Sequence, residues 1–333
     1  IDVYRGDIPA CKSFRDFALF VSFFPQLVAG PIERAQDLLP QITQPRKTSA
    51  TQWIEGGWLI YWGLFKKIFV ADNMAVYVDT VFNPYATPTG AEIWLGTYAF
   101  AIQIYGDFSG YSDMARGLAK WLGFELSINF SHPYLAKNPQ EFWRGWHITL
   151  STWLRDYLYI PLGGNRQGQS RLFFALLMTM FLGGLWHGAR WNFLIWGLYH
   201  GLLLIGFRFI SPRIPNPQNR IWRNLFLGIQ ILFFFHLTCF GWLIFRAEGA
   251  FHLGRLLNWF YEGFYFSSIS ENFYLLGYML ILGIYQLVSS WKQNELWILQ
   301  APLFLRVLLY LVLYYCMAVY SIYGNQPFIY FQF

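Results

Sequence analysis

A run of 36 residues, 172–207, constrains the fold more than any other feature, because its only formally charged side chain is Arg190. A single helix of that length would be about 54 Å long, whereas the hydrocarbon core of a bilayer is about 30 Å thick. Both flanking loops are basic, and short basic loops of membrane proteins face the cytoplasm. With both ends on that side, the run predicts two crossings and a turn near 186–192.

The charges of these two loops set the expected depth of the turn. The loops carry seven arginines: Arg155, Arg166, Arg171, Arg208, Arg213, Arg220 and Arg223. Each predicted leg has only about 15 residues, or about 22 Å of helix, so we expect the turn to lie inside the membrane at a buried re-entrant point. Arg190 is then on the side that the positive-inside rule disfavours, which predicts that it is buried for a purpose.

Further apolar windows extend this pattern over the whole chain. Hydrophobic residues make up 56% of the sequence, aromatic residues 22% and charged residues 13%, which is too apolar for a soluble domain of 333 residues. With the long run counted twice, about seven crossings are expected, and the other windows are 53–70, 91–105, 225–245, 273–288 and 302–323. The sequence predicts an all-α polytopic membrane protein. Its net charge of +6 lies in loops and does not indicate nucleic acid binding.

The ends and cysteines of the chain carry less information. The chain begins at Ile1 without a signal peptide, so it is interpreted as a piece of a longer protein that forms one domain, 1–333. Cys11, Cys239 and Cys316 are far apart, which disfavours a disulfide framework. No spacing of His, Cys and Asp is typical of a metal site, and none is predicted.

His187 lies within the long apolar run and is the first candidate for a functional residue. An ionisable side chain at membrane depth is costly, so it marks a site unless it is merely a paired, structural histidine. The glycines beside it, Gly183, Gly184 and Gly188, fit two interpretations equally: close helix packing, or a backbone break that opens a cavity. His200 is expected to be structural, hydrogen-bonded to a neighbouring helix.

The segment 141–157 is amphipathic when drawn as one helix at 100° per residue. Arg144 and Arg155 share a polar face with His147 at its margin, and large aromatic residues occupy the opposite face. One interpretation is an interfacial helix at the cytoplasmic headgroups. The other is a donor site whose arginines meet phosphates while His147 points toward the reaction. Both can hold together.

Asp113 and Arg116 stand three residues apart, which predicts an internally compensated ion pair on one helix face.

Five further runs stand out in order along the chain: FPQLVAGPI at 24–32, DFSGYSD at 107–113, EFWRGWHITLS at 141–151, YIPLGGNR at 159–166 and GLWHG at 184–188. Together they resemble the membrane-bound O-acyltransferase family. Within it the runs are most similar to bacterial alginate O-acetyltransferase membrane subunits and, more distantly, to teichoic-acid D-alanyl transfer proteins. The terminal QPFIYFQF at 326–333 fits the same subgroup.

The resemblance implies an architecture and a pair of functional residues. His187 matches the catalytic histidine of the family, and His147 matches its second functional histidine. The family fold is a ring of tilted transmembrane helices, with re-entrant and interfacial helices, around a central tunnel where a cytoplasmic donor meets an extracytoplasmic acceptor. Members of this branch are multi-pass proteins of the bacterial inner membrane. They work with a periplasmic partner resembling SGNH hydrolases that acylates a polysaccharide. Family members usually carry further transmembrane helices before the position that matches Ile1, so the resemblance implies that this chain lacks the first of them.

Acyl transfer is the resulting mechanistic hypothesis. Neutral His187 would act as general base on an acceptor hydroxyl that attacks the donor thioester. Trp186, Trp191 and Asn192 would shape the substrate pocket, with Asn192 a candidate donor to the oxyanion. Acetyl-CoA is the simplest donor, a substrate rather than a permanently bound cofactor.

Two interpretations from other classes stay open. One is a proton-coupled transporter or pore with intramembrane histidines, which would favour two related halves with broken helices and more intramembrane carboxylates. The other is a non-catalytic scaffold for a periplasmic acyltransferase.

Overall fold

The fold is built from helices joined by short connections. The computed structural model describes residues 1–215, 217–260, 266–322 and 327–329, and every regular element within them is helical. Sixteen α-helices follow one another along this part of the chain. Their bounds are α1 Asp2–Arg5, α2 Phe14–Ser22, α3 Phe24–Leu27, α4 Ala35–Thr43, α5 Ala50–Leu64, α6 Asp72–Val81, α7 Gly90–Trp121, α8 Pro139–Gly145, α9 Ile148–Leu154, α10 Gly168–Trp186, α11 Trp191–Ile210, α12 Arg220–Arg246, α13 Ala250–Trp259, α14 Phe266–Glu271, α15 Leu275–Lys292 and α16 Leu303–Tyr320. Two π-helical segments, π1 Phe65–Ala71 and π2 Arg155–Tyr159, continue α5 and α9 without a break.

The long apolar run forms a helical hairpin, which confirms the two predicted legs and the turn between them. α10 has 19 residues and α11 has 20, with the turn at 187–190. Helices of this length run about 28 and 30 Å, close to the full thickness of the hydrocarbon core. The legs are therefore longer than the 15 residues expected, since each helix continues beyond its purely apolar stretch at the basic end. The expected depth of the turn, at a buried re-entrant point inside the membrane, stays a prediction.

Four helices of the described chain are long and apolar enough to cross a membrane: α10, α11 with the turn that follows it, α12 and α16. They coincide with the long window and with the windows at 225–245 and 302–323. The windows at 53–70, 91–105 and 273–288 are helical too, within α5 and π1, α7 and α15. The chain is thus an all-α membrane protein. The count of about seven crossings, and the ring with its tunnel, stay predictions.

Two 32-residue helical stretches occupy the interior. One is α5, π1 and α6 in continuous succession, 50–81, and the other is α7. Both begin with a capping box, formed by Ser49 with Gln52 and by Thr89 with Glu92, in which each pair of side chains satisfies the free amides of the first turn. Most of the middle of α7 is buried. These stretches carry most of the buried charges among the described residues, so they depend on neighbouring helices rather than on lipid for their environment.

The segment 141–157 is not one continuous helix, and that prediction was wrong. α8 ends at Gly145, His147 adopts a left-handed backbone conformation with φ of 41°, and α9 begins at Ile148. Trp146 is buried in the protein core rather than placed at a lipid boundary. The helical wheel could not show this break, because it assumes an unbroken helix.

The chain returns near its end to the middle of α7. Of the predicted terminal run 326–333, only 327–329 lies within the described residues. The backbone amide of Ile329 donates to Asp107 Oδ2 at 2.6 Å, and Phe328 packs against Tyr111 at a ring distance of 5.1 Å. Asp107 Oδ1 also lies 3.0 Å from Lys67 Nζ. This segment therefore closes one side of α7 beside Phe108.

Candidate active site

His147 is held by the bend between α8 and α9. The backbone amide of Ile148 donates to the carbonyl of Asn129, and the Thr149 hydroxyl donates to the side-chain oxygen of the same asparagine at 3.0 Å. The left-handed conformation turns the imidazole inward, where it is 3% exposed. The ring of Phe108 on α7 meets it edge to face at 4.6 Å. Local strain at a non-glycine residue is typical of functional positions, because surrounding contacts must maintain it.

His187 closes the C-terminal end of α10 and is half-buried. Its ring lies 5.3 Å from that of Trp196 on α11 and 5.1 Å from that of Phe245 on α12, each in a T-shaped arrangement. Phe193 is 6.2 Å away. The three aromatic side chains are almost completely buried. The imidazole is therefore enclosed by rigid walls from two helices, which fixes its position.

Trp186 joins the two histidines. Its ring centroid is 6.0 Å from that of His147 and 5.0 Å from that of His187. The side chain is 53% exposed, so the contact lies at an accessible surface rather than deep in the core. The structure thus brings two histidines that are 40 positions apart in the sequence into contact with the same indole.

The glycines beside His187 have different roles: Gly184 fits close helix packing and Gly188 a backbone break, whereas the cavity expected from such a break stays a prediction. A side chain on Gly184 would clash with the carbonyl oxygen of Phe193, so this glycine permits close packing of α10 against α11. Gly188 has a φ of 151° and would place a Cβ 2.9 Å from the ring of Phe193. It is the backbone break that reverses the chain directly after His187.

The remaining residues predicted around the turn differ in how far they are buried. Asn192 is fully buried and its Nδ2 donates to the carbonyl of Phe245 at 3.0 Å, tying α11 to α12. Trp191 is 70% exposed. Arg190 is exposed as well, so the expectation of a buried arginine was wrong. The turn leaves its side chain at the surface, where a guanidinium avoids the cost of desolvation.

The two arginines predicted to bind phosphates are both exposed. Arg144 lies on α8 and Arg155 at the start of π2. Arg155 Nε donates to Asp156 Oδ1 at 2.7 Å, and Arg34 donates to Asp156 Oδ2 at the same distance. Burial would raise the pKa of Asp156, but the hydrogen bonds and charges of the two guanidinium groups outweigh it and lower that pKa below the ordinary aspartate value. Arg155 thus already has an acidic partner.

His200 and His236 are structural in their surroundings. His200 is buried among Phe142, Trp143 and Trp196, with ring distances of 4.9 to 5.8 Å. The Nδ1 atom of His200 has no hydrogen-bond partner among the described residues. Aromatic packing therefore fixes this edge of the ring. The expected hydrogen bond to a neighbouring helix is therefore not found at this nitrogen. His236 bonds to the carbonyl of Leu232 in its own helix.

A buried ionic network near the site was only partly predicted. The pair of Asp113 and Arg116 is confirmed at 3.5 Å. Lys66 Nζ adds contacts of 2.6 Å to Asp113 and 3.0 Å to the Ser109 hydroxyl, and Arg116 binds both oxygens of Glu295. The available signal was a lysine inside an apolar window. Its partners come from helices far apart in sequence, so spacing could not identify them.

Several known proteins are similar in sequence to this chain. A probable alginate O-acetylase AlgI from Pseudomonas putida is 46% identical over 256 residues, covering 77% of this chain and 51% of that protein. A peptidoglycan O-acetyltransferase from Helicobacter pylori is 40% identical over 71% of this chain and 44% of its own length. A teichoic acid D-alanyltransferase from Bacillus subtilis is 29% identical over 70% of this chain and 61% of its own length.

The chain spans about half the length of these relatives. The family model for membrane-bound O-acyltransferases matches residues 11–247, a range that contains His147, His187 and the helices that position them. On this match and on the identity to the alginate O-acetylases, the chain belongs to the membrane-bound O-acyltransferase family.

Proposed function

We propose that the chain forms the catalytic centre of a membrane O-acyltransferase. It passes an acyl group, most simply acetyl, from a cytoplasmic thioester to a hydroxyl group on the far side of the membrane. One observation carries the proposal: the rings of His147 and His187 both contact the ring of Trp186. Titratable groups are costly in such aromatic, membrane-embedded surroundings, and two of them at one place indicate a site.

His187 acts as general base in this proposal. Its neutral imidazole accepts the proton of the acceptor hydroxyl while that oxygen attacks the thioester carbonyl. The carbon–sulfur bond then breaks, and the thiolate leaves with the proton that the imidazolium returns. His147, fixed by the bend and by Phe108, orients or polarises one of the reactants.

Three neighbours form the proposed substrate pocket. Trp186 and Trp191 expose their rings at the turn, where they can flank an incoming acceptor. Asn192 holds the wall behind them through its bond to Phe245. One amide hydrogen of Asn192 is used in that bond, which makes the proposed oxyanion contact a role for its second hydrogen.

Acetyl-CoA is the proposed donor, bound as a substrate. The exposed guanidinium groups of Arg144 and Arg155 suit its phosphates, because arginine binds phosphate through paired, charge-assisted hydrogen bonds. Arg144 is the better candidate for binding phosphate, because Arg155 already pairs with Asp156.

The proposed acceptor is a cell-envelope polysaccharide, reached through a periplasmic partner resembling SGNH hydrolases, and the proposed location is the bacterial inner membrane. The names of the relatives support the acceptor class: they include an alginate O-acetylase, a peptidoglycan O-acetyltransferase and a teichoic acid D-alanyltransferase.

Labelled acetyl-CoA added to membranes that carry the protein tests the proposal. His187→Ala is expected to remove donor turnover and label transfer, by at least about 100-fold, as general-base loss does. His147→Ala is expected to reduce both. His236→Ala, a change to a partly exposed histidine bonded within its own helix, is the matched control and should leave turnover unchanged.

Retention of full turnover by a correctly inserted His187→Ala protein would reject the catalytic assignment. Turnover absent from the unmodified protein, together with recruitment of a periplasmic enzyme, would support the scaffold instead. Proton flux into vesicles that depends on His187 without acyl transfer would support the transporter.

A further inference from the structure

Two cavities meet at one edge of the fold, away from His187. The larger has a volume of about 850 Å³ and lies between α12 and α15, where residues of α7 and of the connection 133–135 also line it. The smaller has a volume of about 310 Å³ and lies between α5, α7 and the end of α15. Tyr105, His132 and Gln286 line both of them, so the two cavities adjoin at these residues.

The larger cavity is an apolar groove. Leu232 of α12 forms one of its walls, and Leu280 and Leu287 of α15 form the other. These leucines are about 60% exposed, so the groove opens on the outer surface of the helices. Its volume falls in the range of about 300 to 1,000 Å³ that is typical of small-molecule sites.

The smaller cavity is polar and charged. Lys66, Asp113 and Glu295 line it, together with neutral groups such as Ser289 and Asn294. Arg116, bound to both acids, completes the network, which then contains two acids and two bases. The ionic network at this cavity therefore carries both signs of charge and no net charge.

A site with an apolar groove at one end and a balanced polar cavity at the other suits an amphiphile. We propose that it binds one membrane glycerophospholipid with a zwitterionic headgroup, phosphatidylethanolamine. An acyl chain lies between α12 and α15, and the headgroup enters at Tyr105, His132 and Gln286. The headgroup ammonium faces Glu295 and its phosphate faces Lys66, because each charge then meets its opposite.

The balance of charge selects this headgroup. An anionic lipid would bring net negative charge to a cavity where the bases are already matched by Asp113 and Glu295, and unpaired charge is costly at a buried site. A purely apolar occupant, such as a helix, would leave the polar cavity unmatched.

The bound lipid would also support the active site. The shared residue Tyr105 packs against Phe130 at 5.8 Å, and Phe130 packs against Phe108 at 4.9 Å. Phe108 is the ring that meets His147. Filling the groove thus steadies the wall behind this histidine.

Two glycines make a sharp test possible. Gly228 of α12 and Gly283 of α15 line the groove, and a Cβ on either would meet no atom within 4 Å. Gly283→Phe therefore places a ring in the groove from a position where a Cβ meets no clash, and it replaces a poor helix former. Gly277→Phe is the matched control: this glycine also faces open space, but it lies six positions away on the same helix, about 240° around it.

The full-length protein is reconstituted in vesicles of equimolar phosphatidylethanolamine and phosphatidylglycerol, extracted in mild detergent and weighed by native mass spectrometry. We expect the unmodified protein and Gly277→Phe to retain one phosphatidylethanolamine. Gly283→Phe is expected to retain at least about fivefold less, because its ring occupies the place of the acyl chain. Equal retention by the two phenylalanine variants would overturn the proposal.

Headgroup selection is tested separately with Glu295→Gln, which leaves the network with a net positive charge. Retention should then shift from phosphatidylethanolamine toward phosphatidylglycerol. Retention of both lipids in equal amounts by the unmodified protein, or a density map with polypeptide in the groove, would contradict the assignment.

Discussion

Trp186 is the residue on which the candidate site converges, because its ring contacts both histidines while half of it stays exposed. Trp186→Ala removes the surface that keeps the two imidazoles in register. We expect acyl transfer to fall about 10- to 100-fold, as misplacement of reacting groups typically does. Trp186→Phe keeps an aromatic ring and should retain most activity. Label transfer from acetyl-CoA measures both variants, and equal losses in the two would show that ring packing is not what matters.

Gly188 is the second residue with a distinct role, since its φ of 151° is a conformation that other residues rarely adopt. Gly188→Ala forces a Cβ toward Phe193 and strains the turn, at a cost of about 1 to 3 kcal/mol. The apparent unfolding temperature in detergent should decrease. Gly206→Ala, within α11 and facing open space, should instead leave it unchanged or raise it. A Gly188→Ala protein as stable as the unmodified one would contradict this reading of the turn.

Single residues were predictable where their chemistry conflicted with their surroundings. His187 stood out as a titratable group in an apolar run, and His147 through its motif. Phe108 and Asn129 were missed, although one packs on His147 and the other holds its bend. A phenylalanine in an apolar window and an asparagine in a loop look ordinary. Their roles come only from contacts with residues distant in sequence.

At the scale of elements, a buried ion pair links two of the central helices. Lys66 in π1 and Asp113 in α7 are 2.6 Å apart and both largely shielded from solvent. Lys66→Met leaves Asp113 without its closest partner in a region of low dielectric, and Asp113→Leu leaves the lysine. Each single change should destabilise the fold by about 3 to 5 kcal/mol.

The double variant Lys66→Met with Asp113→Leu is expected to recover part of that loss, because no lone charge of this pair remains buried. Denaturant unfolding in detergent micelles supplies the four free energies of a double-mutant cycle. Strictly additive effects of the two changes would show that the pair is not coupled.

Element boundaries followed the local signals at some places and not at others. The capping boxes at Ser49 and Thr89 coincide with helix starts, since the caps are local. The bend at His147 has no such signal in its own segment. Hydrogen bonds to Asn129 and burial of Trp146 stabilise it, and these depend on a chain segment that precedes α8.

At the scale of the whole molecule, the charge pattern predicts orientation. The basic loops before α10 and after α11 should face the cytoplasm, and the turn 187–190 the opposite side. In a protein with its own cysteines replaced, Ala189→Cys should react with a membrane-impermeant maleimide added from outside. Gln167→Cys should react only after the membrane has been permeabilised. The reverse labelling pattern would invert the proposed direction of acyl transfer.

Local properties of the chain were enough to predict the membrane environment, the helical hairpin and the two candidate histidines. These properties are the length of an apolar run relative to the thickness of a bilayer and the cost of a titratable group in such a run. Three features became visible only in the folded structure: Trp186 contacts both His147 and His187, Asp113 and Arg116 belong to a larger network, and a groove between α12 and α15 meets a polar cavity. These features depend on which helix faces come together, and close packing of side chains from distant segments sets that arrangement.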